Sequence, residues 1–169
     1  MKRFYVLAVV AASGAIGFVL GQRNGHQPVA RAEEKGGLKV ERLNPPKLYR
    51  SKYYTQMVSV RGGKTIYVSG QWSCTDKGEL LHKGDLAAQI KQAFTNLKTY
   101  LEAAGATPAD VVKINVYLVG NTEKDLKALD EGLTACFGKE RNFASTVAGV
   151  RGLARDGMLA EVEAIAVVQ

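Results

Sequence analysis

Histidine and cysteine are scarce in this chain, with two of each, and each scarcity narrows the chemistry it can carry. Two cysteines serve 169 residues. Cys74 and Cys136 lie far apart and in no metal-ligand spacing, which leaves two independent thiols, or a disulfide if the protein is exported. Of the two histidines, His26 falls in a polar linker and His82 in a loop. Neither pairs convincingly with a serine in the sequence, so a hydrolase triad is not supported. No internal repeat or low-complexity segment is present. Acid is missing altogether from the first 32 residues, which hold Lys2, Arg3, Arg23 and Arg31. That local bias supplies much of the formal charge of +7; beyond residue 32 the balance is 19 basic to 16 acidic residues. The remaining Lys and Arg are scattered, with no basic stripe and no interleaved aromatics to stack bases, so no nucleic-acid partner is expected.

What the N-terminus does contain is a leader. Lys2 and Arg3 precede an uncharged apolar run, Phe4 to Leu20, and Ala30-Arg31-Ala32 fits a small-x-small cleavage site. The run is about 17 residues, near the lower limit for a membrane span. Residues 1–32 are therefore a signal peptide or a signal anchor. The protein is expected to be exported, periplasmic or secreted, or to be membrane-anchored with its domain outside the cytoplasm. A membrane contact is expected only if the segment stays uncleaved. Residues 33–50 carry Gly, Pro and charge without apolar periodicity, and Pro45-Pro46 breaks any regular element. They read as a linker or extended arm, with the domain spanning 51–169.

Within the domain, Tyr53–Val60 has strand composition, and Arg61-Gly62-Gly63-Lys64 signals a hairpin into a second strand, Thr65–Gly70. Asp85 opens a helix whose stripe is Leu86, Ile90, Ala93, Leu97, Leu101 and Ala104, stopped by Gly105. Val111–Val119 alternates as a strand. Thr122 and Asp125 form a capping box for a helix with apolar face Leu126, Leu129, Leu133 and Phe137. Thr146–Val150 and Leu159–Val168 are the last strands. The order β-β-α-β-α-β-β predicts an α+β two-layer domain with both helices on one side of a mostly continuous sheet. The other side, with Tyr67, Val147 and Ile165, would be an exposed apolar face, and such a face predicts self-association.

Several short pieces then fall in order: Tyr54-x-Gln56, Ile66-Tyr67-Val68-Ser69-Gly70-Gln71, Gly84-Asp85-x-x-x-Gln89, Asn96-Leu97, Leu101-Glu102-x-x-Gly105, Asp110-Val111-Val112-Lys113 and Glu161-Val162-Glu163-Ala164-Ile165-Ala166. In this order and spacing the chain resembles the Rid/YjgF family of reactive-intermediate imine/enamine deaminases, also called the L-PSP endoribonuclease family, over residues 51–169. The resemblance implies a YjgF/chorismate-mutase-like fold and a homotrimer with a central β-barrel. It also implies small-molecule clefts between subunits where 2-imino acids are hydrolysed, with no metal and no organic cofactor. Carried over by position, Glu161 is the glutamate that positions or activates water, and Tyr54, Ser69 and Gly70 line the pocket. The arginine that pairs with the substrate carboxylate falls on Ser145, within Phe143-Ala144-Ser145-Thr146.

That departure decides the expectations about activity. Arg151 lies six residues along the same strand, roughly 20 Å away at about 3.3 Å per residue, and cannot substitute. Arg141, in the preceding loop, could fold back as a substrate-binding residue. Asp130 stands where the family usually has asparagine and would repel a carboxylate if it lined the cleft. Three functions stay open: an imine or enamine hydrolase of altered specificity using Glu161, a non-catalytic trimeric small-ligand-binding protein of the same fold, and a ribonuclease. Gln89 and Asn96 read as structural, and Trp72 as cleft rim or core.

Overall fold

The computed structural model describes residues 37–51, 53–120 and 122–169. The leader, with its cleavage site, lies outside the described residues. Six strands and two helices follow in the order β1 (Lys39–Leu43), β2 (Met57–Arg61), β3 (Lys64–Trp72), α1 (Leu86–Ala103), β4 (Val111–Val119), α2 (Glu123–Phe137), β5 (Ala144–Val150) and β6 (Ala160–Val168). A short 3-10 turn, Pro108–Asp110, precedes β4.

The main sheet has the order β3-β6-β4-β5. β6 runs antiparallel to β3 and to β4, whereas β5 runs parallel to β4. The parallel pair needs a crossover, and α2 supplies it. Both helices start on side-chain caps. The Asp85 carboxylate accepts from the Ala88 N–H at 3.0 Å, and Thr122 and Asp125 form the reciprocal capping box. Gly105, at φ 78°, follows the end of α1.

Both helices and the central strands β4 and β6 each bury one periodic face. α1 contributes Ile90, Ala93, Phe94, Leu97 and Leu101; β4 contributes Ile114, Val116 and Leu118; β6 contributes Ala160, Val162, Ala164 and Ala166. From α2 come Leu129 and Leu133, while Leu126, expected on the same face, is 44% exposed in the first turns. Phe137 stacks edge-on between Phe94 and Phe143, with ring centres at 5.9 and 4.7 Å, and joins both helices to the start of β5. Gln89 ties the loops to this core: its amide donates to the Gly157 carbonyl at 2.9 Å and its oxygen accepts from the Leu159 N–H at 2.8 Å.

Three expectations are corrected. The segment expected as a linker or extended arm contains β1, which pairs with β2 from Lys39↔Arg61 to Leu43↔Met57. The hairpin expected from β2 into β3 is not laddered. Gly62 and Gly63 turn the chain at φ 72° and 77°, but β2 bonds to β1 and β3 to β6, so the strands form two sheets rather than one. Val147 is not on the uncovered face. It is in register with Val116, on the helix side, and is exposed because β5 is an edge strand that the helices do not reach. The uncovered face instead carries Tyr67, Ile165, Lys113, Asn115, Tyr117, Glu161 and Glu163.

Candidate functional site

Side chains alternate across a strand, so the register assigns each residue to a face. On the uncovered face one row is Trp72–Glu161–Tyr117, from β3, β6 and β4. The next row is Glu163–Asn115–Thr146. β3 slips register between Val68 and Gln71, so Ser69 and Gly70 form a bulge beside β6. A Cβ built on Gly70 would overlap the Glu161 carboxylate. Glycine is therefore what lets that carboxylate lie against the β3 backbone. The structure brings Ser69 and Gly70, at the bulge of β3, beside Glu161 on β6.

Burial, and then the neighbouring Glu163, push the Glu161 carboxyl above the ordinary glutamate range. Among the described residues no cation is paired with it. Glu163 differs. Its carboxylate accepts from the Asn115 amide at 2.6 Å and from the Tyr117 hydroxyl at 3.2 Å. Burial, followed by the charges of Glu163 and Glu161, pushes the Tyr117 phenol up. Burial lowers the Lys113 amine, against the pull of Glu163; Lys113 donates to Thr146 Oγ1 at 2.8 Å. A hollow of about 230 Å³ opens one row from Glu161, lined by Tyr67, Ser69, Lys113, Asn115, Glu163 and Ile165. Across from Glu161, Trp72 carries Arg155, whose guanidinium carbon sits 5.1 Å from the ring centre and whose Nη1 donates to the Gly78 carbonyl at 3.0 Å.

The remaining expected site residues gather elsewhere. Ser145 is in register with Ile114, on the helix side of β5, two strands from β6. Tyr54 precedes Thr55, whose N–H donates to the Phe143 carbonyl at 3.0 Å, which sets it beside the start of β5. Arg141 reaches the same region but does not fold back toward Ser145. Its Nη2 donates to the Asp130 carboxylate at 2.6 Å, the Asp130 carbonyl at 3.1 Å and Thr134 Oγ1 at 3.0 Å, all on α2. Its guanidinium carbon stands 5.6 Å from the centre of the Tyr53 ring. The Asp130 carboxylate is thereby ion-paired with Arg141 rather than left as a lone negative charge. Within one chain, Glu161 and Ser145 lie on opposite faces of the sheet.

Sequence reasoning missed Asn115, Tyr117 and Glu163. The signal was present: Glu161-x-Glu163 puts two carboxylates on one face, and the alternation of β4 puts Asn115 and Tyr117 opposite them.

Sequence comparison settles the lineage, because the family model described as Endoribonuclease L-PSP matches residues 47–168. The chain belongs to the Rid/YjgF family. A 2-iminobutanoate/2-iminopropanoate deaminase from Dermatophagoides farinae is 34% identical over 116 residues, 69% of this chain and 86% of that protein. A Rid-family protein of unknown function from Yersinia pestis superposes with a TM-score of 0.71 at 34% identity, covering 76% of this chain and 98% of that one. RidA from an Antarctic Psychrobacter gives 0.55, also at 34% identity, covering 68% and 88%. The α+β fold of the Rid/YjgF proteins is thus shared from β2 through β6.

Proposed function

We propose that this Rid-family chain hydrolyses imines or enamines of altered specificity in a cleft between subunits of a homotrimer, with Glu161 handling the water. The observation that carries this is the Glu161 carboxyl, half-buried against Gly70 at the β3 bulge and, among the described residues, with no cation paired to it. Such a group can both take and return a proton. As water adds to the imine carbon, its C–O bond forms, the C=N pair moves to nitrogen, and a water proton passes to Glu161. The carboxyl returns that proton to nitrogen. The C–N bond then breaks as the hydroxyl proton follows the same route, leaving a carbonyl and ammonia. The deaminase relative supports the reaction class. The separation of Glu161 and Ser145 on opposite faces supports a cleft that two chains complete.

Specificity departs from carboxylated imines because Ser145 offers no charge and Arg141 is tied to Asp130. The same two facts favour a second reading, a non-catalytic ligand-binding trimer. The near-neutral balance beyond the leader speaks against a ribonuclease. In either reading we propose that the N-terminal leader exports the domain or anchors it outside the cytoplasm.

The test is imine hydrolysis by the full-length protein, with 2-iminobutanoate generated in situ by a dehydratase and a neutral imine alongside. Wild type is expected to act on the neutral imine, and Glu161→Ala to abolish that rate. Ser145→Arg is expected to raise the rate on 2-iminobutanoate about tenfold or more, the value of a charged hydrogen bond. No acceleration by any variant on either imine would leave the binding protein.

A further inference from the structure

Glu163 faces the same side of the sheet as Glu161, yet it is not free in the way Glu161 is. Two donors from β4 clamp it, the Asn115 amide at 2.6 Å and the Tyr117 hydroxyl at 3.2 Å. Two donors fix the carboxylate in place, and residues two apart along a strand stand roughly 7 Å from each other on one face. The clamp also spans β4 and β6, the two central strands, so it is built into rigid sheet rather than loop.

We infer that Glu163, held by Asn115 and Tyr117, is a positioning residue that sets the proton-transfer behaviour of Glu161. This rests on Glu161 being the proton carrier of the proposed reaction. The surroundings leave few rivals for the part. On β3, Trp72 and Gly70 bring no charge to Glu161. On β4 its cross-strand partner is Tyr117, a phenol whose hydroxyl is engaged with Glu163. Lys113 stands two rows away, donating to Thr146. Arg155 is held over Trp72 by the Gly78 carbonyl. The negative neighbour on the same strand is the charge that the geometry fixes closest in sequence and on the same face.

The consequence is a division of labour between two carboxyls of one strand. Glu163 is held in place by its two donors. Glu161, pressed against Gly70 and facing that charge, is the one that exchanges protons. Tyr117 couples them, because its ring is in register with Glu161 while its hydroxyl bonds Glu163.

The experiment is a carbon-13 NMR titration of the side-chain carboxyls in the full-length protein, for wild type, Glu163→Gln and Glu163→Asp, with the pH profile of imine hydrolysis measured in parallel. In Glu163→Gln, which is close to isosteric, the Glu161 midpoint is expected to move down by about half a pH unit or more, and the ionisation limb of kcat/KM to move with it. Glu163→Asp, which keeps the charge, is expected to return most of that displacement. In wild type alone, raising salt from about 0.05 M to about 1 M is expected to lower the Glu161 midpoint, since salt screens a like-charge repulsion but not burial. That arm needs no variant to fold. A Glu161 midpoint unmoved both by Glu163→Gln and by salt would overturn the inference and reduce Glu163 to a tie between β4 and β6. The midpoint is read without turnover. A shifted midpoint in a protein without hydrolase activity would therefore sink the proposed reaction and leave the Glu163–Glu161 coupling standing.

Discussion

A methyl group on residue 70 would occupy the space that the Glu161 carboxylate fills. The obstruction is the far end of a flexible side chain, so the fold can accept it by letting Glu161 swing away. Gly70→Ala is therefore expected to leave the melting temperature nearly unchanged while lowering imine hydrolysis about a hundredfold, the scale of an ångström-sized misplacement. A thermal melt beside a rate measurement checks both halves. An equal loss of stability and activity would mean that Gly70 serves the strand rather than the carboxyl. Glu161, Ser69 and Gly70 were legible in the sequence only through the family resemblance of the motifs that hold them. Whether a cation faces Glu161 was not, since that depends on which loop side chain crosses the sheet edge.

At the scale of elements, the pin between the 138–143 loop and α2 is asymmetric. The Arg141 side chain is 6% exposed and the Asp130 side chain 47%. Removing Asp130 strands a buried guanidinium, whereas removing Arg141 leaves a carboxylate that water can reach. Asp130→Ala is expected to cost about 3 kcal/mol and Arg141→Met about 1 kcal/mol or less, with the double variant recovering most of the first loss. Urea unfolding of the three variants reads this directly, and equal costs would contradict it. The pin was illegible in advance because Asp130 and Arg141 belong to different elements and meet only once α2 has packed. α1, β4 and β6 were legible because each buries one periodic face. β1 was not, because Lys39, Glu41 and Arg42 leave a short ribbon that buries little and so writes little apolar pattern into its residues.

For the whole molecule, the uncovered sheet face is the dominant feature. Tyr67 stands 77% exposed on it, above a hollow lined by charged and polar side chains. A second and third copy covering this face would bury Tyr67, and light scattering is expected to give a mass three times that of the chain. Tyr67→Lys would set three ammonium groups together in such an assembly and is expected to shift the mass toward one chain. A monomeric wild type would remove the assembly from the proposal. The two-layer fold behind this face was readable from periodicity alone. The face each residue of β5 adopts was not, because an edge strand beyond the reach of the helices loses the burial contrast that marks inside from outside.

The register that sets Ser145 with Ile114 and Glu161 with Tyr117 has a genetic corollary. A sheet has two sides, and these two residues take one each, so in the proposed cleft a disabling change at Glu161 and a disabling change at Ser145 would be lesions in different halves of one shared pocket. Two defective proteins, one carrying each lesion, would complement when mixed and reassembled, because some interfaces would pair an intact half from one chain with an intact half from the other. A pocket lying within a single chain could show no such rescue.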